Sequence, residues 1–358
     1  MSSNTLPADL AAACASVRPL CAARAREAQA RLDSLTKPLG SLGRLEDAAR
    51  QLYAIQESRP ISARPARMVT IAGDHGVVEE GVASSPPEVT VLMVRNFLAG
   101  GAAINALCAA AGADLVVVDA GVAAPPFAPH PLLIDGKIAA GTANMAKGPA
   151  MTAGECAKAV RLGISVADKA HRDGVKVIGM GEMGIGNTTP SSALFCAWFG
   201  FDANAMTGMG AGVPKAGLAH KTRVIERALA VNAQAVASGD AFAVLAALGG
   251  LEIAALAGLV IGAAARRMAI MVDGFIATAA FTTAWKLAPA VREYCFFSHG
   301  SAEAGHGRVL RELGEEPLLN LGMRLGEGTG AATGFMLLEA AARIFNEMAT
   351  FEDAGIAL

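Results

Sequence analysis

Two carboxylates stand alone in glycine-rich loops of this chain. In VKVIGMGEMGIGNTTP, which begins at Val175, Glu182 lies among Gly179, Gly181, Gly184 and Gly186; in MRLGEGTGAATGF, Glu327 lies between Gly326 and Gly328. Glycine permits backbone angles that other residues avoid and lets a ligand approach the main chain. Around Glu327 the flanking sequence is apolar and crowded with small residues, which holds that carboxylate partly dry and raises its pKa toward the range a general base needs. Residue type and spacing rank the two equally. Behind Glu182, Asn187, Thr188 and Thr189 are possible helix caps and Pro190 suits the first helical position. Free N–H groups and the positive end of a helix dipole then face the loop, where an anion such as phosphate fits.

Other constellations carry less. Gly179, Gly181 and Gly184 spell G-x-G-x-x-G with Asp202 downstream, the letters of a dinucleotide fingerprint. In that fingerprint the helix opens within the glycines; here Pro190 would then break it, so the helix starts near Thr189. A phosphate-bearing mononucleotide or sugar phosphate is favoured over NAD. His299, Glu303 and His306 are in the wrong order for a zinc helix, and Gly300 and Gly305 weaken any helix that would align them. No metal and no other cofactor is expected. No G-x-S-x-G elbow occurs for a serine nucleophile, and Asp74-His75-Gly76 reads as a loop-orienting strand end.

These residues need elements to hold them. VTIAGDHGV, LVVVDAGV, VKVIGMGEMG and MAIMVDGF are short apolar runs that end in an acid and a glycine, with Ala-rich helical segments between them; YCFFSHGSAE is a fifth. Strands alternating with helices imply a parallel sheet covered on both faces, with ligands beyond the carboxyl ends of the strands. Asp74, Asp119, Glu182, Asp273 and Ser298 are therefore expected on one rim, where grouped acids suit ribose hydroxyls and raise one another's pKa. Before the first run, the chain to about residue 58 reads as amphipathic helix, broken by KPLGSLG and resumed from Arg44.

Composition excludes several classes. The chain has 358 residues, 53% hydrophobic and 17% charged, with 30 basic and 32 acidic residues, enough for a large core and without the basic excess that nucleic acid requires. Six cysteines lie far apart with no C-x-x-C pair, as small buried hydrophobes in a reducing compartment do. The N-terminal stretch lacks a basic region followed by an unbroken apolar core, so a cytoplasmic protein is expected. Residues 241–265 tempt a transmembrane reading, but Glu252 stands at their centre and alanine and glycine supply much of the rest. A buried helix preceded by a short one fits better, with small residues suited to a close helical or subunit contact, and no membrane partner is expected.

With these loops in place, the chain resembles the nicotinate-nucleotide:dimethylbenzimidazole phosphoribosyltransferases of cobalamin biosynthesis. KPLGSLGRLE, AGDHGVVEEGVASSPPEVT, GMGEMGIGNTTPSSA, VDGFIATAA, SHGSAEAG and MRLGEGTGAA follow that family's segments in its order, from about Lys37 to the last helix. The resemblance implies a three-layer α/β/α fold with a mainly parallel Rossmann-like sheet and a smaller helical domain from the chain termini. It divides the chain at 1–65, 66–310 and 311–358, with the last part completing the site, and implies a homodimer.

It also assigns roles. Glu327 stands at the family's general base, which takes the N–H proton of a benzimidazole while the other ring nitrogen attacks the anomeric carbon of nicotinate mononucleotide, with inversion. Glu182, Met183 and Gly184 are implied to hold ribose and phosphate, with Asp273 among the substrate-binding acids. Gly210, Ser301 and Lys221 complete the phosphate site, Lys221 with the option of coming from the other subunit. Ser85 is implied to line the base pocket, and Met93 stands where relatives carry a glutamine near the base, which favours apolar bases. A non-catalytic nucleotide-binding homologue and a dinucleotide-dependent oxidoreductase are the competing readings.

Overall fold

The computed structural model describes residues 6–210 and 212–356; residues 1–5 of the expected N-terminal helical stretch lie outside them. Six strands, β1 (Ala66–Gly73), β2 (Asp114–Gly121), β3 (Leu133–Asp135), β4 (Val177–Met183), β5 (Ala269–Val272) and β6 (Cys295–Phe297), form a parallel sheet in the order β3-β2-β1-β4-β5-β6. Consecutive residues of β4 and β5 are buried almost without interruption, so helices cover both faces and no alternation of polar residues is needed. Five of the strands coincide with the five apolar runs. β3 is an addition: three residues at the sheet edge after a proline-rich stretch are too short to give a periodic signal.

This strand order reverses direction between β1 and β4, and in such sheets the crevice at the carboxyl ends beside the reversal is where ligands bind. The dinucleotide fingerprint is nevertheless absent in structure. Gly179 and Gly181 lie inside β4 rather than in a turn, and both are small because of what faces them. A Cβ on Gly179 would sit 2.6 Å from Met68 Cε and one on Gly181 2.4 Å from the carbonyl oxygen of Glu327.

The apolar stretch 241–265 splits at Gly249-Gly250 into Ala241–Leu248 and Leu251–Ala265, both buried. Its small residues serve the inside of the chain rather than a subunit contact. A Cβ on Gly258 would lie 2.0 Å from the Val160 carbonyl oxygen, and one on Gly163 would lie 1.7 Å from that of Ala255. The helix Ala153–Arg172, opened by a reciprocal Thr152–Glu155 capping box, therefore packs backbone to backbone on Leu251–Ala265. Glu88–Ala111 has the length and apolarity of a membrane span. It is two helices, Glu88–Leu98 and Ala103–Ala111, turned apart where Gly100 takes φ 79°.

The N-terminal helical stretch is likewise interrupted. Ala8–Ser16 and Ala22–Ser34 are separated around Pro19, which cannot continue a helix, and Arg44–Gln56 follows Gly43. Arg44–Gln56 packs on Ala22–Ser34 and on the last helix, Thr329–Glu347. An antiparallel bridge between Leu35 and Thr350 fastens the two chain ends together. Thr329–Glu347 also lies on β1, β4 and β5, and its first turn begins directly after Gly328.

Candidate active site

A cavity of about 220 Å³ opens beyond the carboxyl ends of β4, β5 and β6. β4 supplies Glu182 and Met183, with Gly184 and Ile185 following; β5 is followed by Asp273 and Gly274, and β6 by His299 and Ser301. Arg324, Leu325, Gly326 and Glu327 close one side. Ser85 and the apolar Val89 and Met93, on or just before the helix Glu88–Leu98, line it as well, and Ile276 adds further apolar lining.

Glu327 is held in a conformation that L-residues rarely adopt. Gly326, Glu327 and Gly328 take φ values of 88°, 63° and 98° in succession, and for the non-glycine member this costs about 1–3 kcal/mol. Three hydrogen bonds fix the loop. Thr70 Oγ1 donates to the Glu327 carbonyl at 2.9 Å, Ile104 N–H donates to Glu327 Oε2 at 3.2 Å, and Ala331 N–H donates to Asp273 Oδ1 at 2.9 Å. The side chain is largely buried, and that burial pushes its carboxyl above the ordinary range; the Ile104 N–H opposes the shift and the charge of Asp273 adds to it.

Glu182 is buried to the same extent as Glu327. Burial pushes its pKa up to about 8 against the pull of a hydrogen bond from Asn187, with Asp273, Glu252 and Glu327 adding to the rise. Asn187 is the residue before the helix Thr188–Phe199, which puts Pro190 in its first turn rather than at its first position. Its side-chain amide donates to Glu182 Oε2 instead of capping the helix as expected. Gly326 is glycine for the same carboxylate, since a Cβ there would lie 2.3 Å from Glu182 Oε1. Burial also raises Asp273, whose Oδ1 is 3.7 Å from His299 Nε2, with His299 and backbone N–H groups pulling the other way.

Gly210 also lines the cavity. Its N–H donates to Glu303 Oε1 at 3.0 Å, and its carbonyl accepts from Arg324 Nη1 at 3.1 Å. Lys221 does not line the cavity. It stands behind the lining, its Nζ donating to Thr188 Oγ1 at 2.7 Å and to the Gly208 carbonyl at 3.1 Å. Burial lowers its pKa to about 8, partly offset by Glu303. Ser301 is fixed by His306, whose Nδ1 accepts the Ser301 N–H at 2.9 Å; burial lowers that imidazole to about 3, which keeps it the neutral acceptor this bond requires.

Of the residues singled out in the sequence, Ser85, Met93, Glu182, Met183, Gly184, Gly210, Asp273, Ser301 and Glu327 line one cavity. The rim acids divide. Asp74 Oδ2 accepts from Ala123 N–H at 2.8 Å and Asp119 Oδ1 from Val122 N–H at 2.8 Å, so these two tie loops instead of facing the cavity. His299, Glu303 and His306 have separate partners, and among the described residues no group of three or more His, Cys, Asp or Glu is placed to hold a metal. Arg324 and the Asn187–Glu182 bond were not foreseen, and Glu303, considered in the sequence only as a metal ligand, instead accepts the Gly210 N–H. Arg324 had a signal, as the one cation beside Glu327 in MRLGEG.

The family model DBI_PRT, described as phosphoribosyltransferase, matches residues 17–356. The nicotinate-nucleotide–dimethylbenzimidazole phosphoribosyltransferase of Oleidesulfovibrio alaskensis is 58% identical over 342 residues, 95% of this chain and 96% of that protein. The protein of the same name from Nitratidesulfovibrio vulgaris is 58% identical over 92% of both chains. The crystal structure of CobT from Thermus thermophilus superposes with a TM-score of 0.88 at 42% identity, covering 94% of this chain and 99% of that one. The chain belongs to the DBI_PRT phosphoribosyltransferase family.

Proposed function

We propose that this protein moves the 5-phosphoribosyl group of nicotinate mononucleotide onto a benzimidazole-type base, giving α-ribazole 5'-phosphate and nicotinate for cobalamin biosynthesis. The observation that carries the reading is Glu327, a carboxylate with a raised pKa held at a strained backbone position on a cavity with apolar lining. Glu327 takes the N–H proton of the base, and the lone pair of the other ring nitrogen attacks the anomeric carbon. The bond from that carbon to the pyridinium nitrogen breaks, its electron pair neutralises the pyridinium, and nicotinate leaves from the opposite face. Attack opposite the leaving group inverts the β-linkage of the donor to α. The electrons balance between the two substrates, and the proton goes to Glu327.

The other groups position the donor. Glu182, protonated below about pH 8, donates to a ribose hydroxyl, and Asp273 accepts from one. Gly210 and Ser301 hold the phosphate, and Lys221, behind the lining on Thr188 and the Gly208 carbonyl, supplies positive charge to it from there, the phosphate's own charge restoring the proton that burial weakens on Lys221. Met93, Val89 and Ile276 grip the faces of the base. A homodimer follows from the family resemblance, and exposed Leu92, Leu321 and Leu325 are residues that a partner surface would cover. A cytoplasmic setting suits the six unpaired cysteines.

The test is to incubate the protein with nicotinate mononucleotide and dimethylbenzimidazole, follow nicotinate by chromatography, and read the anomeric configuration of the product by NMR. Nicotinate release with an α-product is expected. No release with any of several bases across the neutral pH range, or a β-product, would overturn the reading.

A further inference from the structure

We propose that His75 and Glu252 form a buried positioning pair that sets the backbone of Met183-Gly184-Ile185 for the donor nucleotide, which rests on the reading of that loop as the nucleotide support. Glu252 is the one ionisable residue of the apolar stretch 241–265 and lies fully buried in the first turn of Leu251–Ala265. Its Oε1 is 2.7 Å from His75 Nε2, on a ring that is itself buried directly after β1. Among the described residues its Oε2 has no hydrogen-bond partner. That oxygen packs where side chains on Gly73 and Gly250 would begin, 3.1 and 2.7 Å from the Cβ positions of those residues. Two glycines thus make room for one carboxylate.

The other edge of this arrangement is the active site. A Cβ on Gly184, which lines the cavity, would lie 3.2 Å from His75 Nε2, 3.3 Å from His75 Cδ2 and 2.3 Å from the Gly73 carbonyl oxygen. The main chain of Gly184 therefore rests on the imidazole. From the helix Glu88–Leu98, Thr90 Oγ1 accepts the Ile185 N–H at 3.1 Å, so the loop is pinned between the His75 ring and the helix that carries Met93.

A charged pair is a poor way to stabilise a core, because well-packed apolar residues of the same volume do as well or better. It is a good way to fix a ring, since the bond sets both the rotation and the depth of the imidazole. Burial opposes protonation of His75, but Glu252 and then Asp74 outweigh it and raise its pKa. The pair joins residues 177 apart in sequence, linking the β1 terminus, the buried helix and the nucleotide loop.

The test compares Glu252→Leu, Glu252→Gln and His75→Gln with wild type, first for folding by circular dichroism and Tm. KM for nicotinate mononucleotide, KM for dimethylbenzimidazole and kcat are then measured, and nucleotide binding is measured by calorimetry. Glu252→Leu and His75→Gln are expected to raise the nucleotide KM and its dissociation constant about tenfold or more while moving the base KM less than about twofold. Glu252→Gln keeps an acceptor for His75 and is expected to recover most of that loss. Should Glu252→Leu fail to fold, His75→Gln decides. Folded variants with a wild-type nucleotide KM, or with both KM values raised equally, would overturn the proposal. Wild type that releases no nicotinate would instead overturn the functional reading, so the two failures are distinct.

Discussion

The hydroxyl of Thr70, in the middle of β1, donates a 2.9 Å hydrogen bond to the main-chain carbonyl of Glu327, 257 residues further along the chain. A strand buried in the sheet thereby holds the one non-glycine residue in a run of three left-handed backbone positions. Thr70→Val keeps the shape and removes the donor. A hydrogen bond of this kind contributes about 0.5–1.5 kcal/mol net, so kcat is expected to fall by about two- to tenfold. Thr70→Ser should retain wild-type kcat. Steady-state kinetics on the three proteins checks this, and a Thr70→Val kcat equal to wild type would remove Thr70 from the account.

Gly181 meets the same carbonyl from β4. An added Cβ would lie 2.4 Å from the Glu327 oxygen and 2.6 Å from Thr70 Oγ1, and neither neighbour is a flexible chain end. Gly181→Ala is expected to destabilise the fold by about 1–3 kcal/mol and to displace Glu327, lowering kcat more than either KM. Denaturant melts paired with kinetics measure both; a stable, fully active variant contradicts the packing described.

Glu182 predicts a pH dependence of stability. Its folded carboxyl keeps its proton to about pH 8, whereas the ordinary value is 4.5. Between these values the folded state binds more protons than the unfolded one. Stability from this group is therefore complete below the unfolded pKa and is lost as pH rises through the folded pKa. Glu182→Gln removes the titration, so its Tm should fall less than that of wild type between about pH 5 and about pH 8.5. Parallel calorimetric profiles for the two proteins contradict the assignment.

Met93 lines the cavity beside Val89 and Ile276, so bases should rank by apolar surface. Two buried methyl groups at about 0.8 kcal/mol each give dimethylbenzimidazole about a fifteenfold advantage over benzimidazole in relative efficiency. Adenine should be poorer still, because its exocyclic amine is desolvated without a partner. Met93→Gln should narrow the gap for adenine. A competition assay reads the ranking, and an order unchanged in the variant means that Met93 does not touch the base.

The fold was legible where local pattern and tertiary role coincide. β1, β2, β4, β5 and β6 are buried on both faces and read as apolar runs, whereas β3 has three residues and no period. The helix over 251–265 was legible as buried, but its glycines pointed equally to a neighbouring helix and to another subunit; the neighbour Ala153–Arg172 is chosen by the fold. Side-chain direction was the other gap. Asn187 has the residue type of a helix cap and serves Glu182 instead. The Thr70–Glu327 and His75–Glu252 bonds join residues that no local window contains.

The central claim is that Glu327 is the base. Glu327→Gln keeps the size and hydrogen-bonding capacity of the side chain while removing proton acceptance. The decisive measurement is single-turnover release of nicotinate by this variant, with nicotinate mononucleotide binding followed by calorimetry. The expected rate is lower by about a hundred- to ten-thousand-fold with nucleotide affinity nearly unchanged. A rate within about threefold of wild type, under about 1 kcal/mol of transition-state stabilisation, would contradict it and move the role to Glu182.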